Sequence, residues 1–157
     1  MLNKHRVRHV VIGAFAAIAQ QAPIPATRDI DLTPEDSPEN LERLSDALRA
    51  LDARIRAQGA RDGLPFDHDG SSLGAGAMWT LICPDGEFDI SFRPSGFGCG
   101  FEDLIDRAHL VRVADVEVMV ADLDDVIRSK EEAGRPKDLR VLPLLYRHRD
   151  SRGPSAR

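Results

Sequence analysis

Apolar residues follow two different rhythms along the chain. At Leu41, Leu44, Leu48, Leu51 and Ile55 they recur every three or four residues, which is one face of a helix. Ser37 and Pro38 supply an N-cap and a first-turn residue, so the pattern predicts a helix over 38–57 with Arg43, Asp46, Arg49, Asp52 and Arg56 in solvent. Elsewhere the rhythm is that of strands. Residues 7–12 are a short β-branched run, after which Gly13-Ala14 opens a helix to about residue 21, ended by Pro23 and Pro25. Asp29-Ile-Asp-Leu32 alternates polar and apolar until Thr33-Pro34 breaks it, which predicts a second short strand.

In the second half, strand-like runs at 77–83 and 87–92 flank Pro84-Asp-Gly86 and predict an antiparallel hairpin with Trp79 in the core. Residues 101–108 read as a short helix, and 110–120 as one or two strands bent near Asp115. Asp122 caps a helix that Gly134 closes, and Pro136 starts a last helix to about residue 146. The glycine-rich stretch 58–76 reads as an extended loop, and 147–157 as a disordered tail. The expected fold class is α/β in the α+β sense: one domain over 1–146 with a small mixed β-sheet flanked by helices.

Composition narrows the functions open to such a domain. A chain of 157 residues is long enough for one hydrophobic core, and none of its apolar runs is long enough to span a bilayer, so no membrane role is expected. A net charge of -5 argues against a surface devoted to nucleic acid. Cys83 and Cys99 lack any zinc or disulfide spacing and fit reduced thiols in a cytoplasm. Lys4, Arg6 and Arg8 before the apolar run 10–19 outline a secretory signal peptide. Pro23 and Pro25 interrupt its cleavage region, however, and a cut there leaves Arg28-Asp-Ile-Asp at a frayed terminus. A strand, turn and helix in a cytoplasmic protein is the preferred reading.

Candidate chemistry lies in the carboxylates. On a strand, Asp29 and Asp31 point to one side while Ile30 and Leu32 face the core, and two adjacent carboxylates stay ionised most easily with a cation between them. Asp89 takes the polar side of its own strand between Phe88 and Ile90, so the three can converge around Mg²⁺ or Mn²⁺, hard cations that also bind phosphates. Asp67-His68-Asp69 lacks a third fixed partner and reads as solvated loop.

The ordered set Val10-Val-Ile-Gly13-Ala14, Thr27-Arg28-Asp29-Ile-Asp31-Leu32, Glu87-Phe-Asp89-Ile and Ser129-Lys130 through Arg135-Pro-Lys137-Asp138-Leu139 resembles the nucleotidyltransferase domain of the DNA polymerase beta superfamily. Within it, the set is similar to bacterial nucleotidyltransferase-like proteins related to abortive-infection toxins. The resemblance implies a minimal nucleotidyltransferase fold in which Gly13 and Ala14 hold a nucleoside triphosphate. Asp29, Asp31 and Asp89 would be catalytic and hold Mg²⁺ or Mn²⁺, and Lys130, Arg135 and Asp138 would sit by the nucleotide. The implied activity is transfer of a nucleoside monophosphate to an acceptor hydroxyl on RNA, a protein or a small molecule. The alternative is a degenerate nucleotide-binding protein or a toxin–antitoxin partner, with an antitoxin as its counterpart. Ala14 departs from the family turn, which commonly reads Gly-Gly or Gly-Ser, and supplies no hydroxyl.

Overall fold

The computed structural model describes residues 1–152. The run His-Val-Val-Ile forms β1 (His9–Ile12), and Gly13, at φ +69°, turns the chain directly into α1 (Gly13–Ala19). β2 (Asp29–Pro34) follows the proline-containing loop, and α2 (Pro38–Ala50) begins behind Ser37. α2 buries Leu41, Leu44 and Leu48 as its spacing requires, but it ends seven residues before the expected position. Asp52 takes φ +49° and the Ala53 amide bonds back to the Leu48 carbonyl, closing the helix in a left-handed turn. Ile55 therefore belongs to β3 (Arg54–Ala57), a strand.

Gly59 then reverses the chain at φ +84° into β4 (Ala60–Leu64), so the glycine-rich stretch is largely structured. It continues into α3 (Gly70–Ala75), whose cap is Asp69: its carboxylate accepts from the Ser72 amide while the Ser72 hydroxyl bonds the Asp69 amide. Glycines here are punctuation for a hairpin and a short helix rather than marks of an open loop. The expected hairpin forms as β5 (Met78–Cys83) and β6 (Gly86–Ser91). Trp79 is half-buried, and its indole N–H donates to the Leu73 carbonyl.

After α4 (Phe101–Ile105) a second hairpin, β7 (His109–Val113) and β8 (Val116–Val120), turns at Ala114 and Asp115. α5 (Leu123–Ala133) is capped by Asp122 and closed by Gly134 at φ +59°, as expected. α6 (Pro136–Ser151) runs five residues beyond the expected end. The first part of the expected tail is thus helical, and 153–157 lie outside the described residues.

The eight strands among the described residues form one mixed sheet in the order β4-β3-β5-β6-β2-β1-β8-β7, with β2 parallel to β6, β1 parallel to β8 and the remaining pairs antiparallel. One apolar cluster joins β1 and β8 to α1, α4, α5 and α6 through Val10, Ala17, Phe101, Val120, Val126 and Leu145. A second joins β2, β5 and β6 to α2 and α3 through Leu32, Leu44, Leu48, Leu73, Leu81 and Ile90. β1 and α1, the residues that outline a signal peptide, are an inner strand and a packed helix. No helix among the described residues is long and apolar enough to cross a membrane.

Candidate functional site

The register of β2 against β6 brings the carboxylates together. The two strands run parallel with Asp31 beside Asp89 and Ile30 beside Phe88, so alternation puts Asp29, Asp31 and Asp89 on one face and the apolar residues on the other. Each acid offers an oxygen within 4.8 Å of those of the other two. β1 pairs antiparallel with β2, placing Ile12 opposite Asp31 and delivering the Gly13 turn to the same end. A Cβ built on Gly13 would stand 2.4 Å from Asp31 Oδ2, so the turn lies directly against that carboxylate.

Three acids this close cannot share charge evenly. Burial, then the charges of Asp29 and Asp89, push the Asp31 carboxyl up to about 6, while Lys137 and Lys130 pull the other way. Asp89 is also raised, first by burial, although Arg56 opposes the shift. Asp29 goes down, chiefly because the Thr27 hydroxyl donates to its Oδ1. A set of hard oxygen donors that resists full ionisation when metal-free has the character of a divalent cation site.

Arg56 adjoins the candidate site, which the helical reading of 38–57 conceals. On β3 it reaches over β5, pairing through one nitrogen with Glu87 and through the other with Asp89 Oδ1 at 3.3 Å. Thr80, on the intervening strand, pairs across from Asp89. The signal available in the sequence was the β-prone Arg-Ile-Arg-Ala run followed by Gln58-Gly59, outweighed by the period of the leucines before it.

The residues expected near the nucleotide divide into two groups. Gly13 adjoins Asp31, and Ala14 follows it in the first turn of α1. Lys130, Arg135 and Asp138 form their own ion cluster at the junction of α5 and α6: Lys130 Nζ bonds Asp138 Oδ1 at 2.9 Å and Arg135 Nε bonds Oδ2. Asp138 is 1% exposed and Lys130 9%. Burial works against Asp138, but the hydrogen bonds from Arg135 and Lys130 hold its carboxyl below the usual range. Lys137, between them, is exposed, and its charge is felt by all three site acids. Asp69 of the Asp-His-Asp run caps α3, and His68 Nδ1 bonds the Ser45 hydroxyl, so both serve local structure.

The sequence matches no protein-family model and no curated protein. Its structure is similar to that of the antibiotic-resistance factor ANT(2'')-Ia in solution, with TM-score 0.56 and 12% identity over 91% of this chain and 75% of that one. It is also similar to a Thermotoga maritima protein assigned as a nucleotidyltransferase, with TM-score 0.55 and 14% identity over 94% of this chain and 89% of that one. At these identities the likeness establishes a nucleotidyltransferase-like fold.

Proposed function

We propose that the chain is a divalent-cation-dependent nucleotidyltransferase that moves a nucleoside monophosphate from a nucleoside triphosphate to an acceptor hydroxyl. The observation that carries this reading is the convergence of Asp29, Asp31 and Asp89 from two strands against the Gly13 turn. The donor set fits Mg²⁺ or Mn²⁺: all ligands are carboxylate oxygens, and Asp31 resists ionisation when only its neighbours surround it. When bound, such a cation supplies charge neutralisation between the carboxylates and the phosphates.

The chain's own residues divide the remaining work. Asp89, held by Arg56 on one oxygen, keeps its other oxygen for the acceptor end, where it orients the hydroxyl and takes its proton. Thr27 fixes Asp29 in its ionised form. The backbone of Gly13 and Ala14 lies along the proposed triphosphate path, and neither residue carries a side chain larger than methyl. Exposed Lys137 is placed to meet phosphate, whereas Lys130, Arg135 and Asp138 support it by fixing the α5–α6 junction.

Three convergent acids support turnover over nucleotide binding alone, because a degenerate site has no need of the third. The kinship with toxin-related members, and with it an antitoxin partner, is supported by the sequence motifs alone. A cytoplasmic location agrees with the two free thiols, Cys83 and Cys99.

The test is turnover of the four α-labelled ribonucleoside triphosphates with Mg²⁺, for the wild type beside the Asp29→Ala, Asp31→Ala double variant. Labelled product or pyrophosphate from the wild type alone is the expected result. Metal-dependent binding with no turnover across candidate acceptors would move the reading to a nucleotide-binding protein.

A further inference from the structure

β7 is an edge of the sheet, paired with β8 alone. The Ala121 N–H donates to the Val11 carbonyl at 2.8 Å, so Ala121 and, two residues earlier, Met119 direct their backbone groups toward β1. Val118 and Val120 therefore bond Val111 and His109, which lie opposite them, and the N–H and C=O groups of Leu110 and Arg112 point away from the sheet. Among the described residues no hydrogen bond reaches these groups. Leu110 is 60% exposed, and an unprotected strand edge is a template for another strand.

The two edges of the sheet differ. β4, at the other end, has Gly63 at φ +72°, exposed Arg61 and Asp62, and a ladder that shifts between Ile55 and Ala57, all of which blunt pairing. β7 keeps an unbroken register with β8 from His109 to Val113 and contains neither glycine nor proline. One open edge and one blunt edge permit a closed pair of chains but not a fibre.

The side chains of β7 suit a second β7. Running antiparallel about a two-fold axis through Val111, all five of its residues pair: Val111 meets its own copy, Leu110 meets Arg112 and His109 meets Val113. The outward backbone groups of Leu110 and Arg112 are then opposite one another, so each such pair exchanges both its bonds, about four in all. The same axis sets a valine pair beside Val118, extending an apolar row, and lays the Arg112 stem on exposed Leu110. An axis at Arg112 would oppose two guanidinium groups, and an axis at Leu110 would leave Arg112 and Val113 beyond the other strand.

We infer that two copies of this chain associate edge to edge through β7, with Leu110 of each facing Arg112 of the other. The inference is independent of the reaction at the acidic face.

A five-residue edge buries little area, so the dimer should be weak, with a dissociation constant on the order of 10–100 µM, and sedimentation of the full chain from about 5 to 500 µM should show it. Leu110→Lys sets like charges against Arg112 at both symmetry-related pairs and should weaken association by about tenfold. Leu110→Glu sets opposite charges there and should stay within about threefold of wild type. Leu64→Lys, at an exposed site on β4, should leave association unchanged. Deuterium exchange at the Leu110 and Arg112 amides should slow as concentration rises, while exchange in β4 does not change. Unaltered melting curves at low concentration would show that the variants fold. A chain monomeric throughout that range, a dimer indifferent to Leu110→Lys, equal weakening by Leu110→Lys and Leu110→Glu, or exchange at these two amides that is independent of concentration would overturn the proposal.

Discussion

Gly13 and Asp31 leave no room between them: the missing side chain of one is filled by the carboxylate of the other, at 2.4 Å from the position a Cβ would take. Gly13 also sits at φ +69°, where a non-glycine residue costs about 1–2 kcal/mol. Gly13→Ala should therefore destabilise the fold by about 2 kcal/mol or more in urea, because strain and displacement of Asp31 add. In the background of Asp31→Ala the displacement disappears and only the backbone cost remains. A double-mutant cycle should read a coupling of about 1 kcal/mol, and strict additivity would contradict the contact.

Asp31 makes the metal-free fold pH-sensitive. Its folded value of about 6 lies above the unfolded 3.8, so the native state binds more protons between these values and stability falls as pH rises through that window. Asp31→Asn should accordingly be more stable than wild type at pH 8 without metal, by about 1–3 kcal/mol, and should lose most of that advantage near pH 4. Urea titrations at the two pH values in chelator test this. An advantage equal at both would point to packing rather than charge.

The cluster of Lys130, Arg135 and Asp138 has the opposite sign. Asp138 has a lowered folded value, so its contribution is present at neutral pH and is lost as pH falls below the ordinary carboxylate range. Asp138→Ala leaves the buried Lys130 ammonium without its partner and should cost about 3–5 kcal/mol. Pairing Lys130→Met with Asp138→Leu should recover most of that loss in thermal melts, with the exposed Arg135 returned to solvent.

Arg56 tests the proposed acceptor end separately from the nucleotide end. It touches Glu87 and Asp89 but neither Asp29 nor the Gly13 turn. Arg56→Gln should lower kcat by about tenfold while changing the affinity for metal–nucleotide by less than about twofold. A larger loss of nucleotide affinity than of kcat would place Arg56 at the other end.

Sequence legibility followed local determinism. Asp29-Ile-Asp31 and Phe88-Asp89-Ile90 alternate so strictly that their polar sides are readable without knowing which strands pair. That β2 and β6 lie in parallel register, with Asp31 beside Asp89, depends on the whole sheet and is not legible in the spacing of either strand. The misreading at 51–57 arose because Leu51 and Ile55 continue the period of α2 by coincidence, whereas Asp52 ends it with a φ that no periodicity encodes. Arg56 was lost to view with it, assigned to a solvated helix face instead of a strand above Asp89. The stretch 58–76 was misjudged because glycines that close a hairpin look the same, as letters, as glycines in a loop.

The central claim, that acids from two different strands act as one cation site, is tested most directly by electron paramagnetic titration of Mn²⁺ into the nucleotide-free chain at pH 8. The wild type should bind Mn²⁺ in competition with Mg²⁺, and Asp89→Asn, which leaves the Asp29–Asp31 pair intact, should weaken that binding by about tenfold or more. Equal Mn²⁺ binding by wild type and Asp89→Asn would mean that β6 contributes no ligand, and the three carboxylates would then be neighbours without a shared ion.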